Sequence, residues 1–374
     1  MATVFDYLKW RGDLTFTQDP PNAVDALIFS ALSYIRYGGT VESDPDTPIT
    51  LRAAAENFFT LEDQEARTRV KNDMELLHTA AGTIRFGFSR ICMYRDDFIP
   101  EQETQFAAMT FLLDDGSMFL AFRGTDYTLV GWKEDFNMTF QQTIPAQRLA
   151  VQYVRDVALE YVAPMRLGGH SKGGNLAVFA AARSSPMLQQ RILEVYNNDG
   201  PGFTKYLMGD PGYLAMVPRI KTHIPQSSVI GMLLEHEEPY TVIRSKTVGL
   251  LQHDLYSWEI LGREFIPVQE ITESSQFVDA TIKAWFAQMS NQDRNQLVDV
   301  MFTLLGTGGI ESALDIFQPK NIRTYIKTLS SDAGMRHILS TEFQGLIEAA
   351  KKTRAKFEEN RELLESGNQE SRAE

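Results

Sequence analysis

A glycine-rich segment in the middle of the chain carries a serine at a spacing that suits nucleophilic catalysis. Gly169-His170-Ser171-Lys172-Gly173 fits the pattern G-x-S-x-G, and it lies between the apolar run "MRL" and the small-residue run "NLAVFAAA". This arrangement predicts a strand, a sharp turn and a helix. In such a turn the flanking glycines let neighbouring backbones come close, so that the serine hydroxyl is raised above the sheet. The alternative is a glycine-rich turn in which the serine has no chemical role.

Nucleophilic catalysis by Ser171 also needs a histidine as base and a carboxylate that orients this histidine. In strand–turn–helix sites of this type the acid and the histidine follow the serine along the chain. Four of the six histidines are unsuitable, since they lie on an early predicted helix, in the turn itself, inside a predicted strand or in the C-terminal helices: His78, His170, His223 and His337. His253 is preferred to His236, because it follows the last predicted strand and lies beside a loop. The alternative for His253 is a loop histidine that binds Asp254.

The elements before the serine are predicted to be helices followed by a β-hairpin. Residues 22–37 carry apolar side chains at helical spacing. A second helix is predicted to begin at Thr60, where Thr60 and Asp63 fit a capping box that an apolar stripe follows. The runs "QFAAMTFLL" and "SMFLAFRG" are typical of strands, and Asp115-Gly116 between them suits a tight hairpin turn.

From the serine onwards, strand-like and helical segments alternate. The strand-like runs are "MRLGG", "ILEVYNND", "RIKTHIPQ" and "YTVIRS", and helical segments around residues 145–162, 173–184 and 203–215 separate several of them. This alternation predicts a mostly parallel sheet covered by helices. Beyond about residue 270 the strand signals stop and helical segments follow, the last of them over residues 320–365. We expect the last ten residues to be disordered.

These patterns predict an α/β domain with an N-terminal helical part over residues 1–270. Residues 271–374 are predicted to form a C-terminal helical region.

Composition and charge exclude several classes of partner. Lys and Arg number 36 against 49 Asp and Glu, which gives a net charge of −13. Such an acidic chain repels nucleic acids, so we expect no nucleic-acid partner. The single cysteine, Cys92, cannot form an internal disulfide, and no Cys/His cluster suggests a metal or another cofactor. Since neither a signal peptide nor a transmembrane segment is visible, we expect a cytoplasmic protein.

The serine segment also resembles a known superfamily. "GHSKGGNLA" is similar to the nucleophile elbow of α/β-hydrolases, especially of class 3 lipases, and "FLAFRGTD" to the lipase strand that ends in Arg-Gly-Thr. "GWKEDF" occupies the place of a lipase segment with Trp and Asp. The resemblance covers residues 105–260, and the whole chain is also similar to a group of bacterial lipase-like proteins. It implies an α/β-hydrolase fold with this range as its core.

Roles for several site residues follow from the resemblance. It implies that Gly169 and Gly173 are the elbow glycines, and that Thr125 and the backbone amide of Lys172 form the oxyanion hole. Thr125 has the alternative of capping the next helix. The Lys172 ammonium, where lipases often have an apolar side chain, is expected in a surface ion pair. His253 fits the lipase histidine, which is followed shortly by a Trp.

The acid is the point at which the chain departs from the lipase pattern. Class 3 lipases place an Asp after the strand that corresponds to "RIKTHIPQ", where this chain reads Pro225-Gln226-Ser227-Ser228 and has no carboxylate. Some lipases of the superfamily carry the acid after the preceding strand, which here ends at Asp199. We therefore favour Asp199 and keep Glu235 as the alternative acid. Asp199 would otherwise be a turn residue in "NNDGPG".

Two functions from different classes remain on the sequence alone. The first is a serine hydrolase that acts on a small-molecule or lipid acyl ester or thioester through an acyl-enzyme intermediate. The second is a binding or scaffold protein on a hydrolase fold, which the carboxylate missing after "RIKTHIPQ" favours. An acyltransferase that uses the same serine is a third, minor reading.

Overall fold

Short runs of apolar residues form a central mixed sheet in the first part of the chain. The computed structural model describes residues 1–307, 309, 315, 316 and 318–370. These divide into two compact units, Met1–Ile271 and Thr272–Glu374, and the sheet belongs to the first. The described residues contain eight strands in this sheet: β1 (Ile49–Thr50), β2 (Arg90–Ile99), β3 (Thr104–Leu112), β4 (Met118–Phe122), β5 (Met165–His170), β6 (Ile192–Asn198), β7 (Ile220–Pro225) and β8 (Tyr240–Ile243). A short antiparallel pair follows, β9 (Ile260–Leu261) and β10 (Glu264–Phe265).

The strands lie side by side in chain order, and their direction changes at β4. The pairs from β1 to β4 are antiparallel, whereas β4 to β8 are parallel to their neighbours. The carboxyl ends of the parallel strands therefore lie at one edge of the sheet, where ligands bind in open α/β sheets. This arrangement confirms the predicted α/β-hydrolase fold with its mostly parallel sheet.

Helices cover both faces of the sheet. In the first unit they are α1 (Val4–Arg11), α2 (Ala23–Leu32), α3 (Leu51–Phe58), α4 (Lys71–Gly82), α5 (Ile84–Gly87), α6 (Leu129–Asn137), α7 (Pro145–Glu160), α8 (Lys172–Ala182), α9 (Pro186–Gln189), α10 (Lys205–Met208) and α11 (Pro211–Met216). Strand β4 illustrates why its sequence is apolar throughout. Phe119 and Ala121 pack in the core with the N-terminal helices, while Leu120 and Phe122 pack on the opposite face with α7 and α8.

The hairpin prediction is confirmed, and the N-terminal helix boundaries are corrected. Strands β3 and β4 are antiparallel, and Gly116 in the turn between them has φ of 79°. Helix α2 ends at Leu32, five residues before the predicted end, although the following Ile35 is still buried. The prediction for residues 203–215 is met by two short helices, α10 and α11.

The predicted helix start at Thr60 is wrong. The Thr60 hydroxyl donates to the Asn57 carbonyl, and Asp63 binds the Arg67 side chain. Helix α4 begins only at Lys71, because the Asp73 carboxylate caps it by accepting from the Arg69 amide, 2.8 Å away, and from the next amide. The helix therefore starts at a later capping pattern, in which Val70 is the N-cap residue and Asp73 supplies the carboxylate.

The second unit is helical in its described part. It contains α12 (Glu273–Phe286), α13 (Asn291–Leu305), α14 (Pro319–Ser331) and α15 (Ala333–Glu370), and α15 packs against the other three. Ser290 and Asp293 form the expected capping box of α13. Helix α15 includes six of the ten residues for which we expected disorder; residues 371–374 lie outside the described part. No helix of the described chain is both long and apolar enough to cross a membrane.

A buried ion pair fixes the N-terminal helices to one another. The Arg85 guanidinium makes paired hydrogen bonds of 2.7 and 2.6 Å to the Asp25 carboxylate, and both side chains are buried. Tyr7 donates to the same carboxylate. Removal of the acid would leave Arg85 buried without its counter-charge.

We expect Asp25→Ala to lower the free energy of unfolding by about 3–5 kcal/mol for this reason. Asp63→Ala, which breaks an exposed pair with Arg67, is the matched control and should cost less than about 0.5 kcal/mol. Urea denaturation followed by circular dichroism measures both variants. Equal losses for the two would contradict the assigned role of the buried pair.

Candidate active site

Ser171 lies at a sharp bend between β5 and α8. Its backbone has φ of 58° and ψ of −132°, a conformation that costs energy for a residue with a side chain. A Cβ at Gly169 would overlap the backbone of Gly173, and one at Gly173 would overlap the carbonyl of Phe122. Both glycines are therefore required for the close packing of β4, β5 and α8 that holds the bend. Within the described residues the serine hydroxyl makes no capping bond to the helix.

A buried carboxylate binds a histidine next to this bend. Asp199 Oδ2 lies 2.6 Å from His253 Nδ1, although 54 residues separate them in the chain. The carboxylate is fully buried, whereas the histidine side chain is 28% exposed. The Ser171 amide donates to the carbonyl of Asn198, the residue before Asp199, so serine and acid occupy neighbouring strand ends. With Nδ1 held by the acid, Nε2 is the nitrogen left for proton transfer.

Ser228, in the segment where the acid was expected, supports the Asp199 carboxylate. The Ser228 hydroxyl donates to Asp199 Oδ1 at 2.5 Å, and the Gly231 amide donates to the same oxygen at 3.2 Å. These two donors satisfy the carboxylate oxygen that does not face His253. The residue that stands where lipases have an acid thus donates a hydrogen bond to an acid on the adjacent strand.

The turn role considered for Asp199 belongs instead to Asn197. The Gly200 amide donates to Asn197 Oδ1 at 3.0 Å, which closes the turn after β6. Asp199 adopts φ of 53°, a left-handed conformation that Asp tolerates better than most residues. Its carboxylate is left to face the histidine.

His170, the residue before the serine, contacts the backbone of His253. Its Nε2 lies 2.8 Å from the His253 carbonyl oxygen, and the two imidazole rings are 4.5 Å apart between centroids. Burial, with the nearby His253 and Arg69, lowers the pKa of His170 well below its usual value, so the ring is neutral. Because a carbonyl only accepts, the proton of this neutral ring is on Nε2. The bend is thereby tied to the segment that carries His253.

The alternative histidine and acid lie in different environments. His236 binds Glu238 through Nδ1 and the Gly231 carbonyl through Nε2, so both of its ring nitrogens are engaged. Glu235 is exposed, and its backbone pairs with Phe203. Asp254, the partner considered for His253, accepts from the Tyr256 amide and caps a short 3-10 turn.

Thr125 follows β4, which pairs with β5 in parallel so that both strands end at this site. Its hydroxyl donates to Asp135 Oδ2 at 2.5 Å. The next helix, α6, is capped by Thr128, whose Oγ1 accepts from the Gly131 amide, so Thr125 is not its cap. Asp135 lies on α6, and its bond to Thr125 fixes the loop after β4 to that helix.

The expectation of a surface ion pair for Lys172 is wrong. The side chain is fully buried, and its ammonium binds Glu134 Oε2 at 2.9 Å and the carbonyl and side-chain oxygens of Gln105. Glu134 also accepts from the amides of Gln105 and Ala146. A buried charge is tolerated only when it is paired and hydrogen-bonded in this way. Lys172 therefore connects the helix after the serine to α6 and β3.

A small pocket of about 70 Å³ opens beside the serine. Ser171, Lys172 and Asp135 contribute to its wall, and the rest is mainly apolar, with contributions from Met138, Thr139, Pro201, Ile230, Leu233 and Leu234. An apolar wall beside a hydroxyl suits the hydrocarbon part of an acyl group. Among the described residues there is no group of three or more His, Cys, Asp or Glu side chains that could hold a metal ion.

Three residues of this site were not predicted from the sequence: Ser228, Glu134 and Asp135. A signal for the last two was present in the sequence, since a lysine that opens a helix of small and apolar residues requires a nearby carboxylate when it is buried, and "GWKEDF" contains both acids. Ser228 carried no such signal, because its role depends on contact with the neighbouring strand.

The fold and the bend at Ser171 define a lipase-like α/β-hydrolase. The sequence model of the Mbeg1-like family matches residues 80–303, more than half of the chain. The chain belongs to the Mbeg1-like family, which is lipase-like. No curated protein matches the chain.

Solved structures similar to the chain include fungal proteins of low sequence identity. A mutant form of MDLA from Penicillium cyclopium is 14% identical, over 67% of this chain and 87% of that chain, with a TM-score of 0.39. The lipase–propeptide complex of Rhizomucor miehei is 12% identical, over 52% of this chain and 66% of that chain, with a TM-score of 0.34.

The ionisation of Asp135 should make stability depend on pH. Burial raises its pKa from 3.8 to about 6, although Lys172 and the bond from Thr125 act in the opposite direction. Between these values the unfolded chain loses the proton while the folded protein keeps it, so the free energy of unfolding falls as pH rises. Asp135→Asn has no such proton to lose. We therefore expect its stability relative to the wild type to be greater at about pH 7 than at about pH 4.5.

Urea denaturation of Asp135→Asn and the wild type at both pH values measures this difference. A difference between the two proteins that is the same at both pH values would contradict the raised pKa.

Proposed function

We propose that the protein is a serine hydrolase that cleaves acyl esters or thioesters. The observation that carries the proposal is the bond between Asp199 and His253 beside a serine in a strained bend. In the proposed reaction Ser171 Oγ attacks the substrate carbonyl carbon while His253 Nε2 takes the hydroxyl proton. The protonated His253 is stabilised by the buried Asp199 carboxylate.

The negative charge that forms on the carbonyl oxygen needs hydrogen-bond donors. We assign this role to the backbone amides of Lys172 and Thr125. Because the Thr125 hydroxyl already donates to Asp135, we assign the backbone amide of Thr125, and not its side chain, to the oxyanion. The positive end of α8 adds to the stabilisation of the oxyanion.

The acyl-enzyme forms when His253 gives its proton to the leaving alcohol or thiol as the carbon–oxygen or carbon–sulfur bond breaks. Water then attacks the ester carbonyl of the acylated serine, His253 accepts one of its protons, and this proton returns to Ser171 as the acid product leaves. The scaffold alternative was motivated by a missing carboxylate. The bond from Asp199 to His253 supports the hydrolase over that alternative.

Covalent labelling with a fluorophosphonate tests the nucleophile. We expect wild-type protein to be labelled and Ser171→Ala not to be, since the probe reacts with an activated serine hydroxyl. Asp199→Asn should lower kcat by about 10³–10⁴-fold on a nitrophenyl ester, because the histidine loses its orienting acid. Glu235→Gln is the matched control and should stay within about two-fold, as this side chain is exposed.

Folded wild-type protein that resists the probe would overturn the proposal, and equal rates for Asp199→Asn and wild type would overturn the choice of acid.

The size of the pocket predicts a preference for short acyl groups. A space of about 70 Å³ is well below the volume of pockets that hold larger ligands. Nitrophenyl butyrate should therefore be hydrolysed with a kcat/KM at least about ten-fold above that of the palmitate ester. Leu233→Ala, which removes part of the apolar wall, should move the optimum to longer chains. A chain-length series on both proteins measures this, and an unchanged optimum in the variant would show that the acyl group binds elsewhere.

A further inference from the structure

We propose that the N-terminal helical region, residues 1–89, is a positioning part of the active site that anchors the segment bearing His253. This segment, residues 248–258, is called the histidine loop below. The inference rests on the proposed function, since it concerns the base of that reaction. It assigns to the N-terminal region a role in alignment of the imidazole.

The first anchor runs from α2 through the elbow to His253. Tyr34 lies two residues after the end of α2, and its hydroxyl is 2.8 Å from His170 Nδ1. On the other side of the ring, His170 Nε2 lies 2.8 Å from the His253 carbonyl oxygen. Since the neutral His170 carries its proton on Nε2, its Nδ1 accepts and the Tyr34 hydroxyl donates. The chain of bonds is thus ordered from tyrosine to imidazole to carbonyl. Tyr34 and His170 are both buried.

The second anchor lies three residues further along the histidine loop. The Tyr256 hydroxyl donates to Asp73 Oδ1 at 2.6 Å, with both residues buried and 183 positions apart in the chain. The ring of Tyr256 also stacks on Phe5 of α1, with 5.7 Å between ring centroids. The other oxygen of Asp73 caps α4. The histidine loop is therefore fixed to the start of one helix and to the side of another.

Arg69 connects the two anchors. Its guanidinium lies over the ring of Tyr34, 4.3 Å from the centroid, and its backbone amide donates to Asp73. A displacement of Arg69 would thus disturb the Tyr34 ring and the Asp73 carboxylate together. The two anchors form one structural unit of the N-terminal region.

The histidine loop needs such anchors because apolar burial holds its first half only weakly. Val248, Leu250 and Leu251 are 77%, 68% and 68% exposed. The bond from the Trp258 indole to the Gln252 carbonyl joins two parts of the loop to each other. The direct contacts of Tyr256 with the N-terminal region, and the link from Tyr34 through His170 to the His253 carbonyl, by contrast, hold the loop beside Ser171. Small displacements of a catalytic base cost large factors in rate.

The test compares tyrosine-to-phenylalanine variants of the full chain. Tyr34→Phe and Tyr256→Phe each remove one anchoring hydroxyl and keep the ring. Tyr7→Phe is the matched control: its hydroxyl also donates to a buried carboxylate of the N-terminal region, Asp25, and among the described residues its hydrogen-bond partners are Asp25 and Asn22, outside the histidine loop. We measure kcat and KM on nitrophenyl butyrate, and hydrogen exchange of the amides of residues 250–257.

We expect each anchor variant to lower kcat by about ten-fold with KM within about two-fold, because the base is misplaced while the acyl pocket is intact. The loop amides should exchange at least about five-fold faster. Tyr7→Phe should keep both quantities within about two-fold of the wild type. The positioning role is overturned if the anchor variants match Tyr7→Phe in kcat, whatever their exchange rates.

Fluorophosphonate labelling of the wild type separates this inference from the proposed function. An unlabelled wild type would mean that the hydrolase proposal fails, and the exchange comparison alone would then decide whether the loop is anchored. A labelled wild type whose anchor variants keep the full kcat would leave the hydrolase proposal standing and refute the positioning role.

Discussion

The close approach of three backbone segments around Ser171 is the constraint on which the rest of the site depends. Gly169 and Gly173 let β4, β5 and α8 approach to distances that a Cβ at either position would prevent. This packing holds the serine at a positive φ, and the energy that the conformation costs is offset by the burial of both sheet faces around it. The same approach brings the end of β4, with Thr125, to the end of β5. The proposed oxyanion donors and the proposed nucleophile thus depend on one packing arrangement.

The buried lysine after the serine extends this constraint to α6. Lys172 and Glu134 are both fully buried, and their charges are compatible with the core only because the carboxylate also accepts from the amides of Gln105 and Ala146. An apolar side chain would fill the same space at a smaller desolvation cost. The ion pair is directional, because its hydrogen bonds form in one geometry only. It therefore fixes α6, and with it Asp135 and the loop that carries Thr125, at one position relative to α8. The pair thus orders the loop that carries Thr125.

Local patterns predicted the parts of the fold that short segments determine by themselves. The hairpin at Asp115-Gly116, the bend at Ser171 and the cap at Ser290 each depend on a few adjacent residues, and the structure has all of them. Strand β2 was not anticipated, because it mixes charged and apolar residues and contains a bulge where Met93 has a positive φ. The start of α4 was wrongly placed at Thr60; the Asp73 carboxylate that caps the helix also accepts from Tyr256, far along the chain, and local patterns do not show such a contact. The burial of Lys172 likewise depends on partners from separate elements.

The position of the proposed acid follows from the parallel pairing of β6 and β7. Asn198 pairs with His223, so the residues that leave the two strands emerge side by side. A carboxylate on either strand end can therefore reach a histidine above this edge, provided that the other strand end does not compete for the space. Here β6 supplies Asp199 in a left-handed conformation, and the chain after β7 supplies Ser228 as a donor to it. Ser228 thus lies in the segment where the resemblance to lipases implied an acid, and its hydroxyl donates to the carboxylate that follows the adjacent strand. The chain thus departs from the lipase pattern in one respect: the carboxylate follows β6, and a hydroxyl that donates to it follows β7.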